Sequence, residues 1–122
     1  MGKPRHFFLA AATYAILGML LGIHMAASQN HAQLVTHAHL LLIGWVTMFL
    51  YGAYLRLYPT AVGKLASVLW WIANVGTVMA VTGLYLVYGG NLAAGDPPAG
   101  LGAVLVLAGM ANFALIVWRT HE

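Results

Sequence analysis

Residues 34–58 read LVTHAHLLLIGWVTMFLYGAYLRLY. The run contains a single Lys, Arg, Asp or Glu, which is Arg56, two residues from its end. A helix that crosses a bilayer needs about 20 predominantly apolar residues, and this run is long enough. It does not alternate apolar with polar positions, as a strand of a membrane barrel would. It therefore reads as a spanning α-helix that carries two histidines, His37 and His39, in its first turns. That reading decides the fold, because most of the chain has the same character.

Three further runs qualify as spans, at about 7–27, 65–88 and 99–118. Of the 122 residues, 62% are hydrophobic and only 6% charged. A soluble domain carries about a quarter charged residues, so this chain cannot coat a water-facing surface. The absence of cysteine excludes a disulfide scaffold and thiolate-held zinc or iron–sulfur centres. The hydrophobicity excludes disorder. Short links stand at 28–31, 59–64 and 89–98. The last holds Gly89-Gly90-Asn91 and Gly95-Asp96-Pro97-Pro98, both strong helix breakers. The expected fold is all-α and integral to the membrane, one four-helix domain over 1–122.

The basic residues predict an orientation. Lys3 and Arg5 precede the first span, Arg56 and Lys64 bracket the second link, and Arg119 follows the fourth span. Four spans put both termini and the second link on one side, and all five basic residues fall there. Both termini are expected to be cytoplasmic, with the chain in a bacterial or archaeal inner membrane. The first apolar run is longer than that of a secretory leader, so it is expected to stay as a permanent helix.

Six histidines are many for so apolar a chain. His6 and His121, at the ends, are expected to be solvated. His24 closes the first span and His31 lies in the following link. His37 and His39 lie inside the second span, and an ionisable residue inside a span is a functional hypothesis by default. Each helical residue advances 100°, so His37 and His39 point about 200° apart. They cannot share one small metal, which two histidines would grip at i and i+4. Each imidazole instead serves its own pocket, on opposite faces of one helix. Imidazole ligates haem iron, copper or zinc. The apolar surroundings, from Leu40 to Ile43 with Met48 and Phe49, suit haem better than a hydrated ion. Gly44 would let a flat macrocycle approach the helix, and Trp45 would pack against the ring.

The stretch His37-Ala38-His39-Leu40-Leu41-Leu42-Ile43-Gly44-Trp45-Val46-Thr47, continued by Tyr54-Leu55-Arg56-Leu57-Tyr58-Pro59, resembles a haem-binding helix of subunit I in the haem–copper oxidase superfamily, including cbb3-type oxidases and nitric oxide reductases. In that superfamily subunit I winds its helices as three arcs of four, and one helix carries a His-x-His whose imidazoles face two different haems. The resemblance implies that this chain is one arc, and that a homotrimer rebuilds the ring. Each haem b would then sit at a subunit boundary, between His37 of one chain and His39 of its neighbour. The departures are equally specific. No histidine cluster for copper stands in the third or fourth span, and the only acids are Asp96 and Glu122, in a link and at the terminus. These residues suit electron transfer, or redox or gas sensing, to a redox partner that the sequence does not name. They assign no enzyme activity.

Three other arrangements remain open at this point. His24 could pair with His37 or His39 around haem within one chain. A copper-binding protein could use His24, His31 and His37, with help from Met19 and Met25. A cofactor-free accessory subunit of a respiratory complex would use the histidines structurally. Among the glycines, Gly18-Met19-Leu20-Leu21-Gly22 is a candidate assembly face. Gly76 with Gly83, and Gly102 with Gly109, each seven apart, predict small-residue packing stripes.

Overall fold

The computed structural model describes residues 1–120; His121 and Glu122, and the expectation that His121 is solvated, lie outside the described residues. Four long helices make up nearly all of it. They are α1 (Pro4–Ser28), α2 (Leu34–Leu57), α3 (Lys64–Tyr88) and α4 (Leu92–Arg119). All four are long and apolar enough to cross a membrane by length and composition. Pro4 stands in the first turn of α1, where a missing N–H costs no hydrogen bond. Gly90, with φ of 97°, supplies the left-handed step in the tight turn between α3 and α4.

Three of the helices have limits close to those expected from sequence, and the fourth begins earlier than expected. The helix starts at Leu92, well before the Gly-Asp-Pro-Pro run, and Pro97 and Pro98 lie inside it. Asn91 caps this start by accepting a hydrogen bond from the Ala94 N–H at 3.2 Å. Because both prolines lie within two turns of the helix start, the carbonyls they fail to bond belong to Ala93 and Ala94. Both of those residues are exposed, so the loss is tolerable there and would not be at mid-helix.

The helices form two antiparallel pairs. Between α3 and α4 backbone touches backbone. The buried residues of α4 are Gly95, Gly102, Gly109 and Ile116, spaced by sevens. A Cβ on Gly83 would fall on the backbone of Ala99, and one on Gly102 on the backbone of Ala80. The predicted small-residue stripes therefore face each other. A seven-residue repeat of small side chains keeps one seam turned toward a partner helix.

Between α1 and α2 the glycines instead receive side chains. Gly18 lies under Leu41, Gly22 under His37, Gly44 under Tyr14 and Gly52 under Phe7 and Phe8. The Gly18-x-x-x-Gly22 motif is thus spent inside the chain, on its own α2. Tyr14 also joins the two pairs: its hydroxyl donates to Asn74 Oδ1 at 2.8 Å, and Asn74 Nδ2 donates to the Trp70 carbonyl at 2.7 Å. Gln33 Nε2 donates to the Tyr85 carbonyl at 3.0 Å, and Asn112 Nδ2 to the Leu65 carbonyl at 3.0 Å. In lipid, where apolar burial does not drive helices together, close packing and such bonds hold a bundle. Phe7, Tyr14, Met48, Tyr51, Leu55 and Leu69 fill the centre.

One local feature had no counterpart in the sequence reading. Residues Leu40–Val46 of α2 are wound as a π-helix. The Thr47 N–H and Oγ1 both reach the Leu42 carbonyl, five residues back, the hydroxyl at 2.7 Å. Such wide turns occur mostly inside α-helices, frequently at functional sites. This one begins immediately after His39.

Candidate functional site

His37 and His39 belong to the regular first turns of α2, before the π segment, so their 200° separation is preserved. His37 turns toward α1. Its Nδ1 is 2.7 Å from the Gly18 carbonyl. A carbonyl oxygen only accepts, so Nδ1 carries the proton and, in the neutral ring, Nε2 keeps a free lone pair. Gly22 makes room for the ring: a Cβ there would lie 2.9 Å from His37 Cε1.

His39 turns the other way. Its Nδ1–H donates to the Val35 carbonyl at 2.8 Å, one turn back in its own helix. It lines a groove of about 230 Å³ with Ile43, with Ala80 and Leu84 of α3, and with Ala99 and Ala103 of α4. Apart from the imidazole this lining is apolar. Both histidines are half-buried, and neither Nε2 has a hydrogen-bond partner among the described residues. Metal-bound imidazoles typically have this arrangement, one ring N–H held by a carbonyl or carboxylate while the other nitrogen faces the metal.

The remaining candidates fall elsewhere. Gly44 is buried against α1, and a Cβ on it would lie 2.6 Å from Tyr14 Cβ. The close approach expected for a macrocycle at Gly44 is therefore taken by Tyr14. Trp45 packs on Phe49, with ring centroids 5.2 Å apart, at the edge of the core. His24 is exposed and sits about 200° round α1 from Gly22, the residue His37 packs on. His31 is exposed in the link. Among the described residues no three His, Asp or Glu side chains gather into a metal-holding group. The His24, His31 and His37 cluster needed for copper is thus not assembled within one chain.

Two partners of the site escaped the sequence reading, the carbonyls of Gly18 and Val35. The first was legible in principle. A short link makes α1 and α2 an antiparallel hairpin, and the same register that sets Gly18 beside Leu41 sets Gly22 beside His37. No known protein family, curated protein or solved structure matches this chain. The chemistry of the site must therefore be argued from its own atoms. It offers two imidazoles on opposite sides of one helix, each anchored through Nδ1 and with no hydrogen-bond partner at Nε2 among the described residues.

Proposed function

We propose that the chain is a membrane b-type haem protein. Its iron ligands are His37 and His39, and it serves electron transfer or the sensing of redox state or a small gas. The observation that carries this reading is the pair of Nδ1 anchors, on Gly18 and Val35, which leave both Nε2 atoms free inside an apolar helix.

The donor set fits haem iron, and the space supports a shared site. Pockets that enclose a small organic ligand run to about 300–1,000 Å³, and the groove at His39 is about 230 Å³. One chain would therefore hold only an edge of a macrocycle, and a second copy would complete the site. In the homotrimer each boundary would join His37 of one chain to His39 of the next. A bound haem would supply one-electron redox chemistry. The residues of this chain would fix its ligands' tautomer, hold its plane and keep water from its apolar face. With both axial positions filled by imidazole, electron transfer is the first role, and gas sensing would require one histidine to let go. The five basic residues at one end support cytoplasmic termini in a bacterial or archaeal inner membrane.

A second reading is favoured by one specific contact. The His37–Gly18 bond joins two helices, as a structural histidine would. On that reading the chain is a cofactor-free accessory subunit. A reduced-minus-oxidised spectrum with a pyridine haemochrome assay decides between them, on detergent-purified wild type, His37→Ala and His39→Ala. Haem near one equivalent per chain, lost or turned high-spin in both variants, is the expected result. Colourless protein after expression with ample haem would overturn the haem reading and leave the structural one. Metal analysis of the same sample tests copper.

A further inference from the structure

A separate cavity lies away from His37 and His39, at the end of the bundle where α2 passes to α3 and α4 finishes. It measures about 510 Å³. Lys64, at the start of α3, and Arg119, in the last turn of α4, both line it. Thr60 and Thr120 add two hydroxyls, and Val62 and Ile116 add apolar wall. The two cations come from different helices, and those helices are locked together beside the cavity by the Asn112–Leu65 hydrogen bond. Asp96, the one acid among the described residues, stands at the opposite end of the bundle.

We propose that this cavity binds the phosphate of an anionic phospholipid headgroup. Lys64, Arg119 and the Thr60 hydroxyl can donate to phosphate oxygens, while the Thr120 hydroxyl is already spent on the Ile116 carbonyl at 2.6 Å. Basic pockets between spanning helices at the headgroup level are where such lipids are recognised. The flanks supply the other half of the ligand's chemistry. Val62 and Leu65 line the cavity itself, and Leu57 and Trp118, close in sequence to Thr60 and Arg119, are exposed apolar residues, so acyl chains descending from the cavity would meet apolar side chains. A soluble phosphate would use the cations and leave these flanks unused, which is why a lipid is the occupant inferred.

The test is the thermal stability of the purified full chain in neutral detergent, titrated with phosphatidylglycerol, phosphatidylcholine or inorganic phosphate. Phosphatidylglycerol is expected to raise the melting temperature saturably, and the other two to leave it unchanged. The double variant Lys64→Gln/Arg119→Gln should need about 30-fold more phosphatidylglycerol for the same rise, and each single variant about fivefold more. The single variants keep the test usable if the double variant does not fold. A control pair, Lys3→Gln/Arg5→Gln, removes the same charge from the same end and should respond as wild type does. An equal response to phosphatidylcholine overturns the proposal. So does an equal response to inorganic phosphate, which would mark a soluble-anion site. A loss as large in the control pair would reduce the effect to general surface charge and overturn it as well.

Discussion

The two helix pairs use the same residue for opposite ends. In the α3–α4 pair, Gly83 and Gly102 remove side chains so that two backbones touch. In the α1–α2 pair, Gly18, Gly22, Gly44 and Gly52 remove side chains so that side chains of the other helix can dock. The first contact is rigid, since neither backbone can move aside without separating the helices. The second is adjustable, since Leu41, His37, Tyr14 and Phe8 can each turn. The candidate site lies on the adjustable pair and faces the rigid one. His37 is held between α1 and α2, and His39 looks onto the fixed wall of Ala80, Ala99 and Ala103.

The largest effect tests the rigid pair. Gly102→Ala adds one methyl group where the Ala80 backbone already stands. Overpacking of a close-packed interface costs about 3 kcal/mol when nothing can yield. Reversible unfolding in mixed micelles should register that loss, or the variant should fail to fold. A loss under about 0.5 kcal/mol would mean that the two helices can part freely, and the contrast between the pairs would fall.

The next effect separates the two histidines. His37→Ala removes a bond between helices and empties the space above Gly22, so about 1–2 kcal/mol should be lost. His39→Ala removes a bond within one helix, to Val35, and opens a groove that is already there. It should cost under about 0.5 kcal/mol. Measured on haem-free protein, this difference reads the frame alone. Equal losses would show that His39 also holds helices together. A smaller effect belongs to Tyr14→Phe, which strands Asn74 Oδ1 in the core. Hydrogen bonds between spanning helices average about 0.6 kcal/mol, and the same unfolding measurement should return a loss near that figure.

How much of this was legible follows from the range of each signal. Span existence is a matter of composition and length, and all four runs became helices. The opposed directions of His37 and His39 follow from helical rotation alone. Where signals competed, the local one misled. Gly95-Asp96-Pro97-Pro98 looks like a break, but Gly95 also continues the sevenfold series of Gly102 and Gly109, and the series marks a helix. Gly44 was read as an opening for a ligand because its neighbours in sequence are apolar. Its neighbour in space, Tyr14, lies one helix away. The π segment left no trace in composition, because it depends on where the Leu42 carbonyl finds its partners. The histidine pair was legible as chemistry, while its carbonyl anchors depended on hairpin register.

The last effect is the sharpest for the comparison, because its sign reverses. Gly109 belongs to the same stripe as Gly102, at the same sevenfold position of α4. Yet a Cβ on Gly109 would lie 3.6 Å from Ala73 Cα and Cβ, an ordinary contact. The α3–α4 seam therefore opens slightly toward the basic end of the bundle. Glycine inside a helix is less favourable than alanine by roughly 0.5–1 kcal/mol. Gly109→Ala should gain about that much, where Gly102→Ala loses several times more. If Gly109→Ala were as damaging as Gly102→Ala, the seam would act as one unit along its length, and close approach at single residues would not be its cause. If both were harmless, the pair would be held by its hydrogen bonds and not by its glycines. Only opposite signs agree with a seam that is tightest at Gly83 and Gly102, on the wall that His39 faces.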